Sequence, residues 1–177
     1  MGNFRILQGD ITSDVILKGH DLIVNPSNPA MLCGSGVSGA IFKKADVDKL
    51  EEYTQKEFII NYLGSNFNRD NLMKTGDIRI TPGFNLNMDI MFVQGPKKWD
   101  SDNSLDILKE VYVNMLNEID KKGYKNILIP SLGTGFYGFG HVEVGKFVPD
   151  MIREFVKDKD INVDLVLYSD EDRKYYE

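Results

Sequence analysis

The sequence predicts an α/β fold, a three-layer α/β/α sandwich around a central mixed, mostly parallel sheet. Three observations predict it. Short apolar runs alternate with stripes at helical spacing. One run is apolar almost throughout, as a strand covered on both faces requires. Two of the runs leave through glycine-rich loops into helical patterns.

Phe4-Arg5-Ile6-Leu7 reads as the first strand and Asp21-Leu22-Ile23-Val24-Asn25 as the second. Ile78-Arg79-Ile80-Thr81 alternates cleanly, and Asp89 to Val93, Asn126 to Ile129 and Val163 to Tyr168 complete the set. A helix is expected to begin near Gly36 and another to cover roughly Asp48 to Tyr62. After Leu105, residues Leu108, Val111, Tyr112, Met115, Leu116 and Ile119 form one stripe, with Gly123 as its stop. A further stripe joins Val144, Phe147, Val148, Met151, Ile152, Phe155 and Val156. Pro149 within it either kinks the helix or delays its start. In such sheets ligands bind where strand carboxyl ends meet helix amino termini.

The chain has 177 residues, enough for one domain over 1–177 with a full core, and its 42% apolar share argues against disorder. No apolar stretch approaches the roughly 20 residues of a membrane span. Met1 to Arg5 lack a signal-peptide run, so a cytoplasmic protein is expected, taken as a monomer. Cys33 is the one cysteine, which fits a reducing compartment. With two histidines besides, zinc ligands are scarce, and neither metal nor cofactor is expected. A net charge of −6 disfavours nucleic acid. Any anion must then be held by local backbone donors. Richness in Lys, Ile, Asn and Asp points to an AT-rich bacterial or phage genome.

Two loops carry the chemistry. The first runs from Asn25 through Pro26, Ser27 and Asn28 to Gly34-Ser35-Gly36-Val37-Ser38-Gly39. Glycines there turn N–H groups inward and admit a ligand, though Gly-Ser-Gly also serves as a plain turn. The second, Pro130-Ser131-Leu132-Gly133-Thr134-Gly135-Phe136-Tyr137-Gly138-Phe139-Gly140, holds aromatic residues that need either core or ligand to pack on. At least one of Phe136, Tyr137 and Phe139 is expected in the core. Two such loops suit a diphosphate held from both sides. Neither matches the triphosphate loop with its lysine or the dinucleotide fingerprint with its spaced glycines.

Taken together these segments resemble the macrodomain family. The resemblance begins at Gly9-Asp10-Ile11-Thr12 and continues through the Asn25 to Ala45 loop and helix. It runs on through Thr75 to Phe84, Gly95-Pro96 near Trp99, Pro130 to Phe139, and Leu167-Tyr168, in order along nearly the whole chain. It implies ADP-ribose, free or on a protein, as the partner. Asp10 would accept from the adenine amino group, the Ile11 N–H would serve the ring, and Tyr168 would lie on its face. Gly34, Ser35, Gly36, Val37 and Ser38 would line one side of the ligand. Gly133, Thr134, Gly135, Phe136 and Tyr137 would line the other. Asn28 would orient the distal ribose as the catalytic residue, with Tyr137 beside it. Asn25 would either touch ligand or brace the loop.

Many relatives of this kind cut ADP-ribose from protein carboxylates, some with an Asp in a Gly-Val-Asp-Gly segment. This chain reads Gly36-Val37-Ser38-Gly39, and a serine cannot act as that base. Mono-ADP-ribose hydrolysis from acidic side chains, resting on positioned water, is therefore expected beside two alternatives. One is a binding-only reader or sequestering protein for ADP-ribose or a related signalling nucleotide; the other is deacetylation of O-acetyl-ADP-ribose. Outside the loops, His20 and the Asp170 to Glu177 segment are expected at the surface, Trp99 at a cleft rim, and Lys97 and Lys98 in solvent. His141 could approach a phosphate.

Overall fold

The computed structural model describes residues 1–60 and 68–177. Six strands, β1 (Phe4–Gln8), β2 (Leu22–Pro26), β3 (Ile78–Thr81), β4 (Asp89–Val93), β5 (Asn126–Pro130) and β6 (Asn162–Leu167), form one sheet in the order β1-β6-β5-β2-β4-β3. All neighbours run parallel except β3, which pairs antiparallel with β4 through Ile78 opposite Val93. Every expected strand is present, and Tyr168 falls one residue beyond β6.

Period-two alternation divides these strands between two cores. Leu22, Val24, Met91, Val93, Ile127, Ile129, Val163 and Leu165 face α4 (Ser104–Lys122), α5 (His141–Gly145) and α6 (Val148–Val156). Ile23, Ile90, Phe92, Leu128 and Val166 face α1 (Asp14–Leu17), α2 (Gly36–Ala45) and α3 (Val47–Thr54). The three layers follow. A short α7 (Asp170–Arg173) closes the end beside β1 and β6.

Local chemistry explains the helix limits. Gly123 ends α4 in the left-handed region at φ 82°. Pro149 sits in the first turn of α6, where its missing N–H costs nothing, so the long apolar stripe becomes two helices. Asp46 caps α3 by accepting from the Lys49 N–H at 3.2 Å. The helix expected over 48–62 is shorter than its pattern. It passes at Gln55–Ile59 into a single wide π turn, and residues 61 and 62 lie outside the described residues. That turn directs Gln55 Nε2 to the Ala30 carbonyl at 2.9 Å, fastening the first loop from below.

Two surface expectations are corrected. The His20 side chain is only 9% exposed, with Nε2 2.8 Å from Asp164, because Asp164 occupies a place on the α1–α3 face of β6 and must be paired there. Arg5 adds a bidentate contact at 2.8 Å on both carboxylate oxygens. In the 170–177 segment, Tyr176 is 1% exposed and inserts into the α4–α6 core.

Candidate functional site

A cleft of about 1110 Å³ opens at the carboxyl ends of β1, β6, β5 and β2. Sheet order fixes its sequence of walls. Asp10 and Ile11 follow β1, and Tyr168 and Ser169 follow β6. Ser131 to Tyr137 follow β5, while Asn28 and the Gly34–Ser38 loop follow β2. Of the residues singled out from sequence, Asp10, Ile11, Asn28, Gly34, Ser35, Gly36, Val37, Ser38, Gly133, Thr134, Gly135, Phe136, Tyr137 and Tyr168 line this one space.

Asn25 does not line it. The side chain is fully buried on β2, with Nδ2 3.5 Å from the Pro26 carbonyl and Oδ1 without a partner among the described residues. Strand alternation turns Asn25 toward the helices beneath the loop, so a contact with ligand gives way to a buried place in the loop's base.

At the β1–β6 end, Asp10 Oδ1 accepts from the Thr12 N–H at 2.8 Å and the Thr12 hydroxyl at 2.7 Å. These bonds, with Lys44 nearby, hold its carboxyl below the usual range, so it is an anion at neutral pH. Tyr168 stands 81% exposed beside it, an aromatic face with no protein to cover it. An acceptor next to an open aromatic plane suits a planar ring that carries an amino group.

The middle of the cleft is backbone. Gly36 adopts φ 59°, and a Cβ there would meet nothing within 4 Å, so its bare face borders open space that backbone donors can address. Opposite it, the second loop is pinned at both ends. Phe139, 3% exposed, is the core member of the aromatic trio, and its N–H donates to Gly133 at 2.9 Å. Phe136, 83% exposed, is the solvent-facing member. Tyr137 lies between, its hydroxyl accepting from Gln94 Nε2 at 2.9 Å.

At the β2 end Asn28 is committed to its own loop. Its Nδ2 donates to the Leu32 carbonyl at 2.8 Å, and its Oδ1 accepts from the Leu32 N–H at 3.0 Å. One amide hydrogen and one lone pair remain for a ligand. Ser38 is buried, its hydroxyl unpartnered among the described residues. Among the described residues the carboxylates lining the cleft are Asp10, after β1, and Asp172, on α7 after β6, each two or more strands across the sheet from β2, which Asn28 follows. Among the described residues no group of three or more His, Cys, Asp or Glu could hold a metal.

The sequence reading missed a hydrogen-bonded group on the wall between β5 and β6. Ser131 Oγ lies 2.6 Å from Tyr176 Oη, which lies 2.7 Å from His141 Nδ1; His141 Nε2 lies 3.3 Å from Asp172 Oδ2. Burial pushes the Tyr176 hydroxyl up to about 12, which keeps it protonated. Ser131, His141 and Asp172 all line the cleft. No local spacing announces the set, because its members lie far apart in sequence. Of the rim residues, Lys98 pairs with Glu143 at 2.8 Å, and Trp99 packs over Gly138 while two-thirds exposed.

The sequence profile of the Macro domain matches residues 24–147, which spans both glycine-rich loops. This chain belongs to the macrodomain family. As a macrodomain it has relatives of matching length. A protein of Escherichia fergusonii named O-acetyl-ADP-ribose deacetylase is 28% identical over 176 residues, covering 97% of this chain and 92% of its own. The Oceanobacillus iheyensis macrodomain, solved with ADP, matches with a TM-score of 0.80 at 30% identity over 97% of this chain and 86% of that one. A mutant of the same protein, solved with ADP-ribose, matches with a TM-score of 0.80 at 31% identity, over 97% and 88%.

Proposed function

We propose that this macrodomain binds ADP-ribose along the cleft and hydrolyses the bond joining its distal ribose to an acidic side chain of a protein. The observation that carries this reading is the order of chemical groups across the sheet. An acceptor beside an open aromatic face comes first, then two facing glycine-rich loops, then an asparagine amide. That order matches adenine, diphosphate and distal sugar in turn. The iheyensis complexes with ADP and ADP-ribose support the ligand class. The E. fergusonii relative's name, O-acetyl-ADP-ribose deacetylase, supports cleavage of a carboxylic ester on ADP-ribose. O-acetyl-ADP-ribose and a glutamate-linked ADP-ribose both release a carboxylic acid when water enters.

With no cleft carboxylate beside Asn28 among the described residues, catalysis in this reading rests on position. Asn28 and the facing loops hold ribose and water together, and the carboxylic acid is a good leaving group. A second reading, a reader that holds ADP-ribose without cutting it, is favoured by Ser38 and by the commitment of the Asn28 amide to Leu32. Free ADP-ribose released from a glutamate-linked, mono-ADP-ribosylated protein, followed by chromatography, separates the two. Asn28→Ala should abolish release, with calorimetry on the same variant reporting whether the ligand still binds. Release by the wild type that survives in Asn28→Ala would remove Asn28 from catalysis. Calorimetric binding without release in the wild type would leave the reader. O-acetyl-ADP-ribose in a parallel assay reports the deacetylase activity.

A further inference from the structure

We propose that Asp172 and Ser131 form a subsite that selects the unmodified diol of the base-proximal ribose and rejects a phosphate on it, an inference that rests on the binding reading above. With base contacts at Asp10 and Tyr168 and diphosphate contacts in the glycine loops, the sugar between them must cross the ends of β6 and β5. Ser131, His141 and Asp172 line the cleft there.

The Asp172 carboxylate gives the subsite its sign. Its Oδ2 lies 3.3 Å from His141 Nε2, and its Oδ1 has no partner among the described residues. Ser131 Oγ lies 2.6 Å from Tyr176 Oη, itself 2.7 Å from His141 Nδ1, so the hydroxyl is held at the cleft wall. A carboxylate beside a hydroxyl fits the two hydroxyls of a diol. A phosphate monoester brings only acceptors and negative charge at neutral pH, so it meets repulsion at Asp172. Carboxylates serve the same discrimination in dinucleotide folds, where an acidic residue takes the free ribose hydroxyl.

Tyr176 positions this subsite without touching ligand. Its ring is buried in the core, and the carbonyl before it, on Tyr175, would lie 2.0 Å from a Cβ at Gly145. That close approach seats the segment against α5 and holds the Tyr176 hydroxyl between Ser131 and His141.

Calorimetry with ADP-ribose and with ADP-ribose carrying a 2′-phosphate on its adenosine ribose tests the proposal. Wild type should prefer the unphosphorylated ligand by about tenfold or more, the scale of one unfavourable charge contact. Asp172→Asn should shrink that preference at least about fivefold, chiefly by tightening the phosphorylated ligand. Ser131→Ala should weaken ADP-ribose several-fold, through the lost hydroxyl contact to the diol. Equal wild-type affinities, or a preference untouched by Asp172→Asn, would overturn the subsite while leaving the binding reading intact. A wild type that binds neither ligand would overturn the binding reading and the subsite with it.

Discussion

Gln94 donates from Nε2 to the Tyr137 hydroxyl across 2.9 Å, so a residue just past β4 sets the angle of a ring that lines the cleft. The same amide leaves its Oε1 buried without a partner among the described residues. Gln94→Met should therefore lose two hydrogen bonds, to Tyr137 and to the Gly95 carbonyl at 3.2 Å, and remove one unsatisfied carbonyl, costing about 1 kcal/mol. Tyr137 would keep only its longer contact to the Ser27 carbonyl at 3.4 Å. Calorimetry should show a several-fold loss of ADP-ribose affinity with a fall of only about 2–4 °C in melting temperature. A large fall in melting temperature would mean that Gln94 serves the core more than the ring.

Tyr168 makes the opposite separation easier to read. Its ring is mostly exposed, so Tyr168→Ala should move stability by less than about 0.5 kcal/mol. If it covers the base, the same change should cost about 1–3 kcal/mol of binding, and Tyr168→Phe should restore it. Titration of ADP-ribose into the three proteins decides the point. Equal affinities would take Tyr168 out of the site.

Gly138 has φ 87°, and a Cβ there would lie 2.8 Å from the Trp99 ring. Gly138→Ala should cost about 1–2 kcal/mol, because left-handed backbone and contact act together. Trp99 is the one tryptophan of the chain, so its emission reports the displacement directly. An unaltered spectrum with unaltered melting would show that the loop accepts the methyl group without strain.

Asp164 carries a pKa of about 2: burial pushes it up, while hydrogen bonds from His20 and Arg5 and their charges pull it down further. Against an unfolded carboxyl near about 3.9, this stability is complete above that value and lost as pH falls through about 2. For His20, burial pushes the pKa down. The bond and charge of Asp164, with the Leu17 and Lys18 backbone, carry it above its ordinary value. Its share is complete below about pH 6.5 and lost as pH rises through the raised value. Melting temperature should form a plateau between roughly pH 4 and 6.5 and fall on either side. Asp164→Asn should flatten both slopes and cost about 2 kcal/mol on the plateau. Slopes that persist in that variant would assign them to other groups.

The strands were legible because Leu22-Ile23-Val24 and Asn126 to Ile129 are apolar regardless of what surrounds them. The two loops were legible because glycines and aromatics crowd into short stretches. Other features depend on contacts that no local pattern encodes. Phe139 and Phe136 differ only in which way the chain turns after Tyr137, and one is core while the other is solvent-facing. Asp164 interrupts an apolar strand without revealing that His20 and Arg5 await it. Tyr176 joins Ser131 across 45 positions, a distance over which spacing carries no information.

Strand order has a consequence for the time at which binding becomes possible. Among the described residues β1 pairs only with β6, and the backbone N–H of Asn3 reaches Asn162 across 159 positions. Of these six strands β1 is synthesised first and β6 last, so β1 must wait for its partner. Asp10 and Tyr168 sit at the ends of those two strands, so they become neighbours only at that closing event, a slow kind of contact to make. The glycine-loop half of the cleft, borne on β2 and β5, can assemble before it. Ligand added during refolding should therefore leave the early phases untouched and stabilise only the product of the final one.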